Sequence, residues 1–375
     1  LMRLGPPPEV EEAPGQFWKD FIRDTAPTFR GSTLEQLQSF IVPTFQALAD
    51  GARYVDERLA EIFDELAPDA IVQDNVVAFP AILASGRPWI RIASCNPLEL
   101  RDPGLPPTFS GLATGERSGW AEFKAEYRRR IGELQRSFSE FCVARGAPPL
   151  PGVEMIHESP WLNLYLYPDE FDYPRSQPLR CTWLNLQTSV RATDDPWRPP
   201  EHEGRRLVYL SLGSLGAADV ELMRELVDQL ADSPHRYIVS RGPRHDEYEL
   251  APNMTGAEFL PQTSVLPHVD AVITHGGNNT VCECIWFGKP MIVLPIFWDQ
   301  HDNAQRVQEA GFGRRLSTYA LAPGELAAAV DTVLDDAPLA DRLARASARL
   351  QAQPGTVTAA DAIERVAAGA PAASP

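Results

Sequence analysis

No stretch of the chain approaches the ~18 consecutive apolar residues of a membrane span, although 44% of its 375 residues are hydrophobic. A membrane span is not expected. Basic residues are also in short supply, 34 Lys and Arg against 51 Asp and Glu, for a formal charge of −17. Nucleic acids are bound through clustered Lys and Arg that neutralise phosphates, so this balance argues against a nucleic-acid partner. Cysteine is scarce too. The five residues Cys95, Cys142, Cys181, Cys282 and Cys284 are odd in number and contain no C-x-x-C pair. They suggest neither a disulfide framework nor a zinc site, and they fit a reducing cytoplasm. Cys282 and Cys284, two apart on an expected helix, point to different faces. The opening LMRLGPPPEVEEAPG has neither a basic n-region nor an apolar h-region, so no secretory signal is expected there. No internal repeat is evident.

What is present is an ordinary globular composition on a chain long enough to bury two cores. Apolar positions Leu34, Leu37, Phe40, Ile41, Phe45, Leu48, Leu59 and Leu66 predict helix over 33–66, ending before Pro68. The run DAIVQ at 69–73 predicts a strand, followed by a small-residue helix near 77–85 and a strand at 89–94. This βαβ rhythm implies a parallel sheet. A polar, heptad-like stretch at 116–145 and aromatic strands around 161–167 follow. The Pro-rich and charged DDPWRPPEHEGRR at 194–206 predicts an interdomain linker. Beyond it the βα alternation is crisp. Strands are expected at 207–212, 237–240, 271–274 and 291–295, and helices at 220–231, 280–287, 303–310, 323–334 and 339–350. The domains are therefore expected at 1–193 and 207–352 around the linker 194–206, with a C-terminal helix and tail at 353–375 that is disordered from Ala367 onward.

In an open parallel sheet, ligands bind beyond the carboxyl ends of the strands. Three post-strand loops carry suitable chemistry. SLGSLG at 211–216 offers two glycines and the hydroxyl of Ser214, a pattern that a tight turn explains equally well. In THGGNNTVCE at 274–283, Gly276 and Gly277 allow close backbone approach, and Asn279 with Thr280 is expected to cap the next helix. The positive end of that helix and His275 suit a diphosphate, while Glu283 can accept from ribose hydroxyls. WDQHDN at 298–303 presents Asp299 and Gln300, a carboxylate and an amide able to bracket vicinal sugar hydroxyls. The alternative reading of that loop is a helix N-cap at Asp299 or Asp302.

The pieces FLPQ at 259–262, HGGNNTVCE at 275–283, GKPMIVLPIFWDQ at 288–300 and DNAQRVQEAGFG at 302–313 resemble, in order and spacing, the signature region of the UDP-glycosyltransferase family. The resemblance implies an α/β protein of GT-B fold, two Rossmann-like doubly wound domains facing a cleft. It places Phe259, where the family usually has Trp, on the nucleobase with Gln262 at its border. It places His275, Gly277, Asn279 and Thr280 on the diphosphate with Ser214 nearby, Glu283 on the ribose, and Asp299 and Gln300 on the donor sugar. Asn278 stands where plant members have Trp, so the bacterial antibiotic and macrolide branch is the nearer likeness. The likeness is strong over 207–350, loose over 68–100 and without a matching motif over 101–200.

The resemblance implies an inverting transfer without a metal ion, from an NDP-sugar, as UDP or dTDP, to a hydroxyl of a small hydrophobic acceptor. No cofactor beyond that co-substrate is implied, and no DxD motif is present. In the family a histidine after the first strand deprotonates the acceptor and an aspartate orients it. Asp74, closing DAIVQD, matches the aspartate, although a helix cap before Val77 explains it as well. The seven histidines stand at 157, 202, 235, 245, 268, 275 and 301, so the expected histidine is not matched and the first βαβ of the N-domain is expected to be missing. Two other readings remain open: a non-catalytic sugar-nucleotide-binding partner of another transferase, and a GT-B epimerase or hydrolase of an NDP-sugar. Phe109, Trp120, Trp161, Tyr165, Tyr167, Phe171, Tyr173 and Trp183 supply aromatic surface for an apolar acceptor or for the core. A homodimer is left open.

Overall fold

The computed structural model describes residues 24–180, 182–190 and 195–369. Cys181, Asp194, the opening segment read for a signal peptide and most of the tail expected to be disordered, 370–375, lie outside the described residues.

Helix α1 covers 33–66 as an α-helical start (Thr33–Gln36), a π-helical turn (Leu37–Ile41) and a long segment (Val42–Leu66). Ser32 and Glu35 open it with a reciprocal capping box. The π turn lies directly before Pro43, which has no N–H to continue the ladder. Ala67, at φ 44°, closes the helix in the left-handed conformation. The chain then lays down β1 (Ile71–Asp74), α2 (Pro80–Ala84), β2 (Trp89–Ala93), α3 (Trp120–Ala144), β3 (Leu162–Tyr165) and β4 (Trp183–Asn185). The four strands pair in parallel in chain order. β1 forms one edge of this sheet, with Val72 47% exposed.

The second half contains β5 (Leu207–Ser211), a short α4 (Gly213–Gly216), α5 (Val220–Leu230), β6 (Arg236–Ser240), β7 (Met254–Ala257), α6 (Gln262–Val265), β8 (Ala271–Thr274), α7 (Asn278–Trp286), β9 (Met291–Val293), α8 (Gln300–Glu309) and β10 (Gly313–Arg315). Helices α9 (Glu325–Asp335), α10 (Ala337–Gln351) and α11 (Gly355–Ala367) complete it. Its six strands form one parallel sheet in the order β10-β9-β8-β5-β6-β7. The central strands β5, β8 and β9 are buried along their whole length, as the continuous apolar runs of a sheet covered on both faces require. Helix α5 turns Leu222, Met223, Leu226, Val227 and Leu230 inward. Helix α11 crosses back to the first sheet, where Ala362 and Val366 pack with Ile90, Leu162, Leu164 and Leu186. Among the described residues no helix is long and apolar enough to cross a membrane.

Candidate active site

From β5 the six-stranded sheet runs to β6 and β7 on one side and to β8, β9 and β10 on the other, so its switch point lies between β5 and β8. The crevice beyond the carboxyl ends there is where such a sheet takes its ligand. Ser211 and Thr274 pair in register at the two strand ends, and Gly213 and His275 lie just past them. The His275 ring fills the space between two glycines. A Cβ on Gly213 would stand 3.0 Å from its Cε1, and one on Gly277 2.7 Å from its Nε2. Burial holds the His275 imidazole down to about 4, against the opposing effect of a backbone hydrogen bond at Ser211. At neutral pH the ring is uncharged and offers one N–H donor.

Helix α7 begins at Asn278 with Gly277 as its N-cap, and no side chain caps it. This corrects the expected cap by Asn279 and Thr280. The helix starts early enough to place both inside its first turn, which leaves the first-turn N–H groups to a ligand. Asn279 is exposed at this end. Thr280 Oγ1 accepts a 3.1 Å hydrogen bond from Gln262 Nε2, which also donates to Glu283 Oε2 at 2.6 Å. Positions 280 and 283 share one helix face, so α6 and α7 bring Gln262, Thr280 and Glu283 together. Phe259, in the loop before α6, is 62% exposed, and Ser214 is exposed on α4.

The third loop is less open than its sequence suggests. Asp299 is 7% exposed. Its Oδ2 accepts from Asn96 N at 2.8 Å and from Asn303 Nδ2 at 3.4 Å. Burial pushes its carboxyl up to about 6. Asp299 occupies the N-cap position of α8 but makes no capping bond. Gln300, 5% exposed, accepts at Oε1 from Ile296 N at 3.0 Å and Phe297 N at 3.2 Å, closing its own loop, and it does not line the cleft described below.

Asp74, exposed at the end of β1, accepts a 2.8 Å hydrogen bond from Ser94 Oγ. Asp74 caps no helix: the helix expected from about 77 begins at Pro80, and the N–H groups of Val76 and Val77 go to Asn75 Oδ1 at 2.8 Å and 3.2 Å. Asp74 faces a cavity of about 610 Å³ that also takes in Ser94 and Cys95 from the first sheet and Asn278, Asn279 and Asp299 from the second. Asn278 Nδ2 bridges the halves by donating to Ser94 O at 2.9 Å. The apolar wall is aliphatic: Ile92, Leu164, Leu166, Leu186 and Ile363 of α11. The aromatic residues named for an acceptor do not line it. Phe109, Trp120, Tyr165, Tyr167, Phe171, Tyr173 and Trp183 are buried in the core, and Trp161 is half-buried against it.

Sequence reasoning also missed a buried network between the halves. Asn303, fully buried, accepts at Oδ1 from Asn96 Nδ2 at 2.8 Å and Tyr167 OH at 3.1 Å, and donates from Nδ2 to Gly276 O at 2.9 Å. Asp302, 1% exposed, accepts from Phe109 N at 2.6 Å and Gly111 N at 2.7 Å. A polar first turn on an otherwise mixed helix was the one signal available.

Residues 199–355 match the family model for UDP-glucoronosyl and UDP-glucosyl transferases, a span containing β5, β8, α7 and the three post-strand loops described above. This half of the chain is similar to the UDP-glycosyltransferase family. Among bacterial relatives of the chain, the zeaxanthin glucosyltransferase of Pantoea ananas is 26% identical over 82% of this chain and 74% of the relative. The demethyllactenocin mycarosyltransferase of Streptomyces fradiae is 29% identical over 82% of this chain and 65% of the relative. The solved structure of the glycotransferase of kitacinnamycin superposes with a TM-score of 0.69 at 24% identity, covering 89% of this chain and 82% of that one. The fold is GT-B, with two parallel Rossmann-like sheets facing a cleft.

The buried acids of the chain carry a pH signature. Burial pushes Asp302 from the usual 3.8 up to about 7, against the lowering effect of the Gly111 and Phe109 N–H groups. Between these values the folded state binds the extra proton, so this group's contribution to stability falls as pH rises from about 4 to about 7. Thermal unfolding of the native chain and of Asp302→Asn is expected to show a Tm difference that shifts in favour of the variant over that interval. A difference independent of pH would show that Asp302 titrates normally.

Proposed function

We propose that the protein transfers a sugar from UDP- or dTDP-sugar to a hydroxyl of an apolar acceptor, with inversion and without a metal ion. The observation that carries this reading is the single cavity of about 610 Å³ into which Asp74 and the donor-side residues Asn279 and Asp299 all open. The nucleobase lies on Phe259, and Glu283, held by Gln262, takes the ribose hydroxyls. The diphosphate sits on the uncapped N-terminus of α7 with the neutral His275 as a further donor. Those groups stabilise the negative charge that grows on the leaving diphosphate, the service a divalent ion gives in other transferases.

The acceptor rests on the aliphatic wall, and its hydroxyl oxygen attacks the anomeric carbon on the face opposite the diphosphate. One C–O bond forms as the other breaks, the electron pair leaves with the diphosphate, and the configuration inverts. The hydroxyl proton leaves toward Asp74, whose Oδ1 is oriented by Ser94. Among the described residues, none that lines this cavity is a histidine. Asp74 and Asp299 are the carboxylates that line this cavity, and Asp74, on the acceptor side, is the one this reading assigns to the proton, either directly or through a partner group.

Incubating the full chain with UDP- and dTDP-glucose and a panel of hydroxylated apolar compounds is expected to give a product one hexosyl unit heavier. The product carries the β-anomer from an α-linked donor, at a rate unchanged by EDTA. Donor consumption without an acceptor would support epimerisation or hydrolysis instead, and nucleotide binding with no turnover would support an auxiliary role.

A further inference from the structure

The segment 107–114, between β2 and α3, is strapped along the whole of α8 in the other half of the molecule. At the first turn the Asp302 carboxylate takes the N–H of Phe109 on Oδ2 at 2.6 Å and that of Gly111 on Oδ1 at 2.7 Å. At the last turn Glu309 takes the N–H and the hydroxyl of Thr114, each at 2.8 Å. Between them Arg315 Nη1 donates to Gly111 O at 2.7 Å and Gln305 Oε1 at 2.9 Å. The strap lies tight on the helix, since a Cβ on Gly111 would come within 2.9 Å of His301 Cβ.

The strap also holds a conformation that Phe109 would not choose. Phe109 has φ 70°, and the residue its ring meets, Trp298, has φ 57°. Left-handed backbone is unfavourable for bulky side chains and persists where surrounding contacts over-determine it. Here the two rings stand 4.6 Å apart between centroids, with Phe45 5.2 Å from Trp298 on another side. Trp298 immediately precedes Asp299, whose carboxylate opens on the cleft. A displacement of Phe109 is therefore passed through one ring contact to the backbone that carries Asp299.

We propose that Asp302 is a positioning residue for the donor sugar: by fixing the backbone of Phe109 and Gly111 it seats Phe109 against Trp298 and so sets the placement of Asp299. This inference rests on the reading of the cleft as a sugar-nucleotide site. Asp302 itself touches no substrate. Its carboxylate is suited to the task because two divergent N–H groups need two acceptor oxygens, whereas an amide would present one oxygen and an opposing NH2.

The test, run at pH 8 or above so that Asp302 is ionised, compares affinity for nucleotide alone with affinity for the sugar nucleotide, using UDP with UDP-glucose and dTDP with dTDP-glucose by calorimetry. In Asp302→Asn the Kd for the nucleotide is expected to stay within about twofold of the native value. The Kd for the sugar nucleotide is expected to rise about tenfold, with a matching rise in donor KM. Hydrogen exchange at 109–114 should quicken in parallel. Phe109→Ala, which keeps the backbone bonds and removes the ring contact, is expected to weaken sugar-nucleotide binding similarly while exchange at 109–114 stays slow. Faster exchange in Asp302→Asn with both affinities unchanged would overturn the proposal. If Asp302→Asn does not fold, unchanged sugar-nucleotide affinity in Phe109→Ala would overturn it. Failure of the native chain to bind any of the four compounds is a different result, and it would refute the underlying site reading.

Discussion

Asp74→Ala is expected to lower sugar transfer by about 10²–10⁴-fold, the usual worth of a positioned acid–base group, while the Kd for UDP or dTDP stays within about twofold. The separation follows from the architecture. Asp74 closes β1 of the first sheet, whereas the groups assigned to the nucleotide follow β5, β7 and β8 of the second. Asp74 makes its one described side-chain bond to Ser94, which also stands on the first sheet's side of the cavity. The variant should therefore fold and bind donor normally. Initial rates with saturating donor, beside a calorimetric titration of the same preparation, measure both halves of the prediction. Transfer at the native rate in the variant would remove Asp74 from the mechanism.

Asn303→Ala is expected to cost about 3–5 kcal/mol, because each buried polar partner left without its bond costs about 1–3 kcal/mol. Gly276 O would lose its Asn303 donor, and Asn96 Nδ2 and Tyr167 OH would lose a shared acceptor. These bonds run from α8 both to the first half of the chain and to the turn behind His275. The substitution should thus lower the apparent Tm by at least several degrees and weaken nucleotide binding as well. Unfolding followed by circular dichroism, with and without nucleotide, tests both effects. An unchanged Tm would mean that water takes over the lost bonds and that the network does not hold the halves together.

The contrast between these residues shows what the sequence could carry. β5, β8 and β9 were legible because strands buried on both faces must be continuously apolar, and the loops after them were legible because glycine and polar residues interrupt those runs. β7, β10 and β4 lie at sheet edges and are short, with the polar sequences MTGA and GRR in two of them, so no apolar run marked them. The post-strand loops were legible as places where polar residues and glycine follow a buried strand. Chemistry within them was read less completely, because a cap or a sugar contact depends on where the helix starts: Gly277 took the cap expected of Asn279 and Thr280, and Gln300 turned its oxygen onto its own loop.

Pairings across some 200 residues were beyond sequence reasoning altogether. Asn96 with Asn303, and Phe109 with Asp302, are ordinary polar or aromatic residues until the fold brings two loops together. The same limit governed the acceptor side. Eight aromatic residues drew attention by their size, and the core took seven of them, with Trp161 half-buried against it. The cleft wall came from aliphatic side chains on β2, β3 and the loops beyond, and from α11, a helix more than 150 residues further along the chain.

The central claim is that the loops at the β5–β8 switch point bind a nucleoside diphosphate through the α7 N-terminus and Glu283. Titrating UDP and dTDP into the full chain, and into Glu283→Ala, tests it most directly. One of the two nucleotides is expected to bind the native chain at one site per molecule. Glu283→Ala is expected to weaken that binding about tenfold or more, the loss of a charge-assisted hydrogen bond worth about 1.5–3 kcal/mol. No saturable binding to the native chain at millimolar nucleotide, or equal affinity in the variant, would contradict the account.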